Sequence, residues 1–259
     1  MGTFFIVFII FGILVVGGFV VLIAFIIKKA TEPKTAKFIE NEKKVMYENV
    51  TKSRKNLSPH KANMYAQVTD AMEFNYRKAV TYYKLSGTIF NENRKPIVAF
   101  ERIERGMYTK GHMYAMTKKQ TFYFEFTGLE ATFYCDNVLL GRFDKEGIIY
   151  DDTNQAIGKA KHPIKASFQI EFFKKTNHRL GEGLFPLQLN NRQLATINVA
   201  PNYDDIPYGH SVSSVFDTLG FGTPIITISE NEQPTLEEEK WLLAFAIFET
   251  AFHGHWLIP

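Results

Sequence analysis

Three patterns of apolar and polar positions divide the chain. From Thr3 to Ile27 it reads TFFIVFIIFGILVVGGFVVLIAFII, 25 residues without a charge. A membrane span needs about 20 apolar residues. A secretory signal would instead place Lys or Arg ahead of an apolar stretch of roughly 7–15 residues, and neither residue precedes this run. The pattern predicts a transmembrane helix over 1–27. Residues 28–74 then read as a basic juxtamembrane linker with helical segments. Phe38, Ile39, Met46, Tyr47 and Val50 are spaced for a loose amphipathic helix, and Ser58-Pro59 forms a helix start that predicts a second helix from Pro59 to Phe74.

Beyond about residue 75 the period shortens. Apolar residues alternate, or run in short blocks, between turn residues. Strands are predicted at 79–90, 97–104, 112–117, 121–127, 131–135, 138–143, 147–151, 156–160, 165–173, 184–189, 193–199, 211–216 and 224–229. Cys135-Asp136-Asn137, Asp144-Lys145-Glu146-Gly147, Asp152-Thr153-Asn154 and Asn190-Asn191 supply turns between them. Such short links favour antiparallel neighbours, because a parallel crossover needs about a dozen residues.

The chain closes on a third pattern. Thr235-Leu236-Glu237-Glu238 is a capping box. It opens a helix over about 236–253, with Gly254 as its stop. Trp241 to Phe252 is apolar on every face except at Glu249 and Thr250. A surface helix shows a single apolar stripe, and this run is too short to span a bilayer. Its surroundings must therefore be apolar all round. A sheet of about twelve strands closed on itself has a bore wider than its own side chains fill, and one helix is about 10 Å across. The fold class predicted is mainly β: an antiparallel barrel of about twelve strands over 75–259, enclosing the hydrophobic C-terminal helix.

The strand series, the hairpins LLGRFDKEGIIYDDTNQAIGKAK and the final EEEKWLLAFAIFETAF resemble the tubby-like superfamily. That superfamily takes in the tubby C-terminal domain, the phospholipid scramblases and the LURP-one-related proteins. The resemblance covers about residues 75–256. It implies a twelve-stranded antiparallel barrel around a hydrophobic C-terminal helix, and association with lipid or a membrane surface.

Charge sharpens the picture. Residues 28–61 hold ten Lys/Arg against four Glu, a local +6 in a chain of net +3. The basic side follows the apolar run, so positive-inside orientation predicts a single-pass protein with a cytoplasmic C-terminal domain. Lys28, Lys29 and Lys34 would face anionic lipid, where each lysine adds about 1 kcal/mol. Lys159, Lys161 and Lys165, near hairpins of the strand region, are further candidates. The net charge is too small to imply nucleic acid. In the cytoplasm, Asn49-Val50-Thr51 and Asn56-Leu57-Ser58 are chance glycosylation matches.

Chemistry is sparse. Gly181-Glu182-Gly183 and Gly220-Phe221-Gly222 lack the rest of a dinucleotide fingerprint. Cys135 is the only cysteine and reads as a plain strand thiol. His253-Gly254-His255 lacks partners to complete a metal shell. Glu249 and His253 share a helix face, and a sheathed Glu249 must be paired or protonated. The pair is either structural or a perturbed acid at a barrel mouth. No catalytic residue, metal or cofactor is expected. The expected function is a membrane-tethered, non-enzymatic module that binds anionic lipid head groups or a protein partner. The alternative is scramblase-like or enzymatic activity at the barrel mouth.

Overall fold

The computed structural model describes residues 15–25, 28, 34–59, 61–79, 82–105, 110–128, 130–160, 184–198, 217–219 and 222–256. The chain divides into two compact units, Met1–Asn41 and Glu42–Pro259. In the first, residues 15–25 are helical, and Val15, Phe19, Val21 and Phe25 are exposed. Among the described residues no helix is long and apolar enough to cross a membrane. The remainder of Thr3–Ile27 lies outside them.

A helix, α1, spans Ala36–Arg54. From Glu42 onward it belongs to the second unit. It is followed by a single 3-10 turn at Met64–Gln67 and not by the helix predicted over Pro59–Phe74. Met72–Ala79 is a strand. The reason is a local period of two: Met72 and Phe74 turn inward and are buried, with Glu73 between them exposed. The helix-start signal at Ser58-Pro59 does not outweigh that tertiary demand.

Among the described residues, thirteen antiparallel strands form one sheet. They are β1 (Met72–Ala79), β2 (Tyr82–Phe90), β3 (Pro96–Arg105), β4 (Lys110–Met116), β5 (Thr121–Thr127), β6 (Glu130–Cys135), β7 (Val138–Phe143), β8 (Ile148–Tyr150), β9 (Ala156–Ala160), β10 (Leu184–Leu189), β11 (Arg192–Asn198), β12 (Asp217–Leu219) and β13 (Ile226–Ile228). From β1 to β11 neighbours in sequence are neighbours in the sheet; β12 lies beside β1, and β13 beside β11. The tightest links use left-handed pairs, Asp136-Asn137 at φ 51° and 66° and Asn190-Asn191 at φ 52° and 63°. This geometry suits the twist of a two-residue hairpin. The segments 165–173 and 211–216, predicted as strands, lie outside the described residues.

Among the described residues the sheet is not closed, which corrects the expected barrel of about twelve strands. Among the described residues, β12 and β13 are its two ends and do not pair with each other. The chain between them changes neighbours at Ile225. Its N–H donates to Val68 O at 3.0 Å, and its carbonyl accepts from Asn198 N at 2.7 Å. Pro224, beside Thr69, has no N–H to extend a ladder there. Beside it, Asp70 N donates to Thr223 O at 3.0 Å, and Asp70 Oδ1 accepts from Gly222 N and Thr223 N at 2.8 Å, so the segment 222–225 links the chain before β1 to the end of β11.

The curled sheet wraps the last helix, α2 (Leu236–Trp256). Its start is the capping box: Glu238 N donates to Thr235 Oγ1 at 3.3 Å, and Thr235 N donates to Glu238 Oε2 at 2.8 Å. Residues 241–251 are all buried. Their neighbours come from many strands: Phe124 and Phe126 of β5, Phe133 of β6 and Phe143 of β7 meet Trp241, Phe245 or Phe248 with ring centroids 5.2–6.3 Å apart. The helix continues two residues past Gly254, where the sequence placed its stop.

Candidate functional site

Strand register arranges the outer face of the sheet in rows. Ser86, Glu101, Tyr114, Tyr123 and Tyr134 lie opposite one another across β2 to β6; Lys84, Ile103, His112, Glu125 and Thr132 form the next row. Beyond it come Tyr82, Arg105, Lys110, Thr127 and Glu130. Side chains alternate along each strand, so these residues share one face while Phe100, Arg102 and Glu104 point to the interior.

Helix α1 lies across these rows. Only Met46 and Val50 of its residues are fully buried. The remaining contacts are polar. Arg105 donates from both terminal nitrogens to the two oxygens of Glu42, each at 2.5 Å, and His112 Nε2 approaches Glu42 Oε2 at 3.2 Å. Lys43 donates to Glu125 at 2.6 Å, and Tyr123 donates to the same Glu125 oxygen at 2.7 Å. Asn49 donates to Glu101 at 3.1 Å, whose other oxygen pairs with Lys84 at 2.7 Å. Arg54 donates to the carbonyls of Thr117 and Lys118. Tyr47 packs edge-on against Tyr114, centroids 5.7 Å apart. On one side of α1 lies a groove of about 280 Å³ lined by Asn49, Ser53, Glu73, Asn75, Ser86 and Glu101, among others.

The electrostatics follow from this packing. Burial pushes the Glu42 carboxyl up, but hydrogen bonds from His112 and Arg105 outweigh it and bring it down to about 2. Glu125 is likewise lowered: burial works against it, and Lys43 and Tyr123 prevail. Both carboxylates stay ionised at neutral pH.

Inside the sheet is a second polar cluster. Arg102 is fully buried. It donates to the carbonyl of Ala251 at 2.9 Å, near the C-terminal end of α2, and is paired with Glu104 two residues along its own strand. The Tyr83 and Phe126 rings lie beside its guanidinium, at 6.0 and 5.4 Å. Burial lowers the Arg102 guanidinium to about 9, partly offset by Tyr83.

The residues singled out from sequence are scattered. Lys28 and Lys34 are exposed, and so is Lys159, on β9. Lys29, Lys161 and Lys165 lie outside the described residues. Glu249 is buried at 1 % exposure; the backbone at His253 is helical, and its side chain lies outside the described set. Cys135 is buried, and burial, then Asp136, pushes its thiol up to about 12, so it stays protonated. Among the described residues no group of three or more His, Cys, Asp or Glu could hold a metal.

Sequence reasoning passed over Glu42, Arg105 and His112. Each reads locally as an ordinary surface residue, and the residues it meets lie 63 or more positions away in the chain. Outward placement of Arg105 and His112 on adjacent strands was the one available signal. No protein family, no curated protein and no solved structure matches the chain.

Proposed function

We propose that this chain is a membrane-tethered, non-enzymatic module of tubby-like type that binds anionic lipid head groups at the cytoplasmic membrane surface. A protein partner in the same place is the other form of this reading. The uncharged run Thr3–Ile27 supports the tether, and the helix wrapped by an antiparallel sheet is consistent with the tubby-like resemblance.

One observation carries the lipid reading. Helix α1 docks through Glu42, Lys43, Asn49 and Arg54, while Lys34, Lys37, Lys44, Lys52, Lys55 and Lys61 remain exposed. The +6 of the collar is thus largely available to an anionic surface. The test is hydrogen exchange of the full chain in nanodiscs, with phosphatidylcholine alone or with phosphatidylserine added. Slower exchange over residues 34–61 in the anionic discs, reversed by salt, is expected. Identical exchange in both would remove the lipid form and leave a protein partner.

A further inference from the structure

The contact between Glu42 and the sheet has the composition of an occupied anion site. Arg105 presents two donors to one carboxylate in the forked geometry that suits planar oxyanions. Its guanidinium is braced over the Tyr82 ring at 4.9 Å. His112, on the next strand, brings Nε2 to 3.2 Å from the same carboxylate. Lys110, paired with Arg105 in register, is exposed. The neighbouring acid on this face, Glu125, is already engaged by Lys43 and Tyr123. Arg105 and His112 thus meet the single carboxylate that α1 supplies, with Lys110 beside Arg105 in register.

That carboxylate comes from a helix of which only Met46 and Val50 are fully buried. Val45 and Tyr47, on the same helix, are largely exposed.

We infer that Arg105 and His112, with Lys110 beside them, form a binding site for a phosphate-type oxyanion, and that the Glu42 carboxylate is its internal occupant, which the incoming phosphate displaces. A dianionic phosphate carries more charge than one carboxylate and accepts more hydrogen bonds from the same donors. This deepens the head-group reading by naming where a phosphate would sit on the sheet.

The test titrates the full chain in phosphatidylcholine nanodiscs with inorganic phosphate, and in a second arm uses discs containing phosphatidic acid. Phosphorus NMR reads binding in both. Glu42→Gln, with Glu42→Ala as a second variant, is expected to bind about tenfold more tightly than the natural chain, the scale of one charge-assisted contact removed from competition. Glu42→Gln combined with Arg105→Gln is expected to lose that gain. Binding in both arms assigns the site to phosphate as such; binding only to phosphatidic acid assigns it to the lipid head group. Equal affinity of Glu42→Gln, Glu42→Ala and the natural chain overturns the inference, as does full affinity in the double variant. Either result leaves the lysine collar standing, whereas loss of the salt-sensitive protection over 34–61 with the Glu42 effect intact would remove only the collar reading.

Discussion

At the scale of single residues, the interior charge at Arg102 carries the clearest consequence. Its guanidinium holds the Ala251 carbonyl of α2 and pairs with Glu104. Replacing it with Met keeps volume but leaves Glu104 buried without its cation. Breaking one side of a buried pair costs about 3–5 kcal/mol. Urea unfolding of Arg102→Met should show a loss of that size, and Arg102→Met with Glu104→Leu should recover most of it. If the double variant is no better than the single, the charge is not what the site is compensating. Gly141 gives a steric counterpart. Its φ is +147°, and an added Cβ would lie 2.0 Å from Tyr150 O and 2.8 Å from the Trp241 ring. The nearest obstacle is backbone, which cannot turn aside as a side chain can. Gly141→Ala should therefore destabilise by about 1–3 kcal/mol, read as a lowered melting temperature.

At the scale of elements, α1 is where electrostatics outweigh burial. Glu42 is depressed from its ordinary 4.5 to about 2 in the docked state. A depressed carboxylate binds fewer protons when docked, so its stabilisation is fully present above pH 4.5 and is lost as pH falls toward 2. Docking of α1, followed by proteolysis between Arg54 and Met64, should weaken across that window, and Glu42→Gln should flatten the dependence. An unchanged profile in Glu42→Gln would show that another group controls docking. The same element marks the limit of what sequence reveals. Strand periodicity and turn pairs such as Asn190-Asn191 were legible because they are local. So was α2, whose uniform apolarity demands a sheath. The docking of α1 was not, since it depends on Arg105, His112 and Glu125, brought beneath the helix only by strand register. Strand β1 was misread because the local helix-start signal preceded it. The open ladder was likewise invisible: a dozen strands imply curvature, but closure turns on how the short segment 222–225 bonds to Val68 and Asp70 on one side and Asn198 on the other.

At the scale of the whole sheet-and-helix unit, the core is assembled from ends far apart in the chain. The bond from Arg102 to Ala251 spans 149 residues, and that from Thr250 to Thr69 spans 181. The strands come first, and the helix that fills them is last. Without α2, the inward faces of Phe124, Phe133 and Phe143 would line an open trough, and the lost contacts of Trp241, Phe245 and Phe248 are each worth several kcal/mol. Domain stability as a whole is about 5–15 kcal/mol. Sheet pairing alone therefore does not hold the unit, and a chain ending at Gln233 should lack a cooperative thermal transition and bind a hydrophobic dye. Phe245→Ala in the full chain should keep the transition and lose about 3–5 kcal/mol. A cooperative melt in the shortened chain would mean that the strands pack onto one another when the helix is gone, and that α2 occupies the sheet without being needed to organise it.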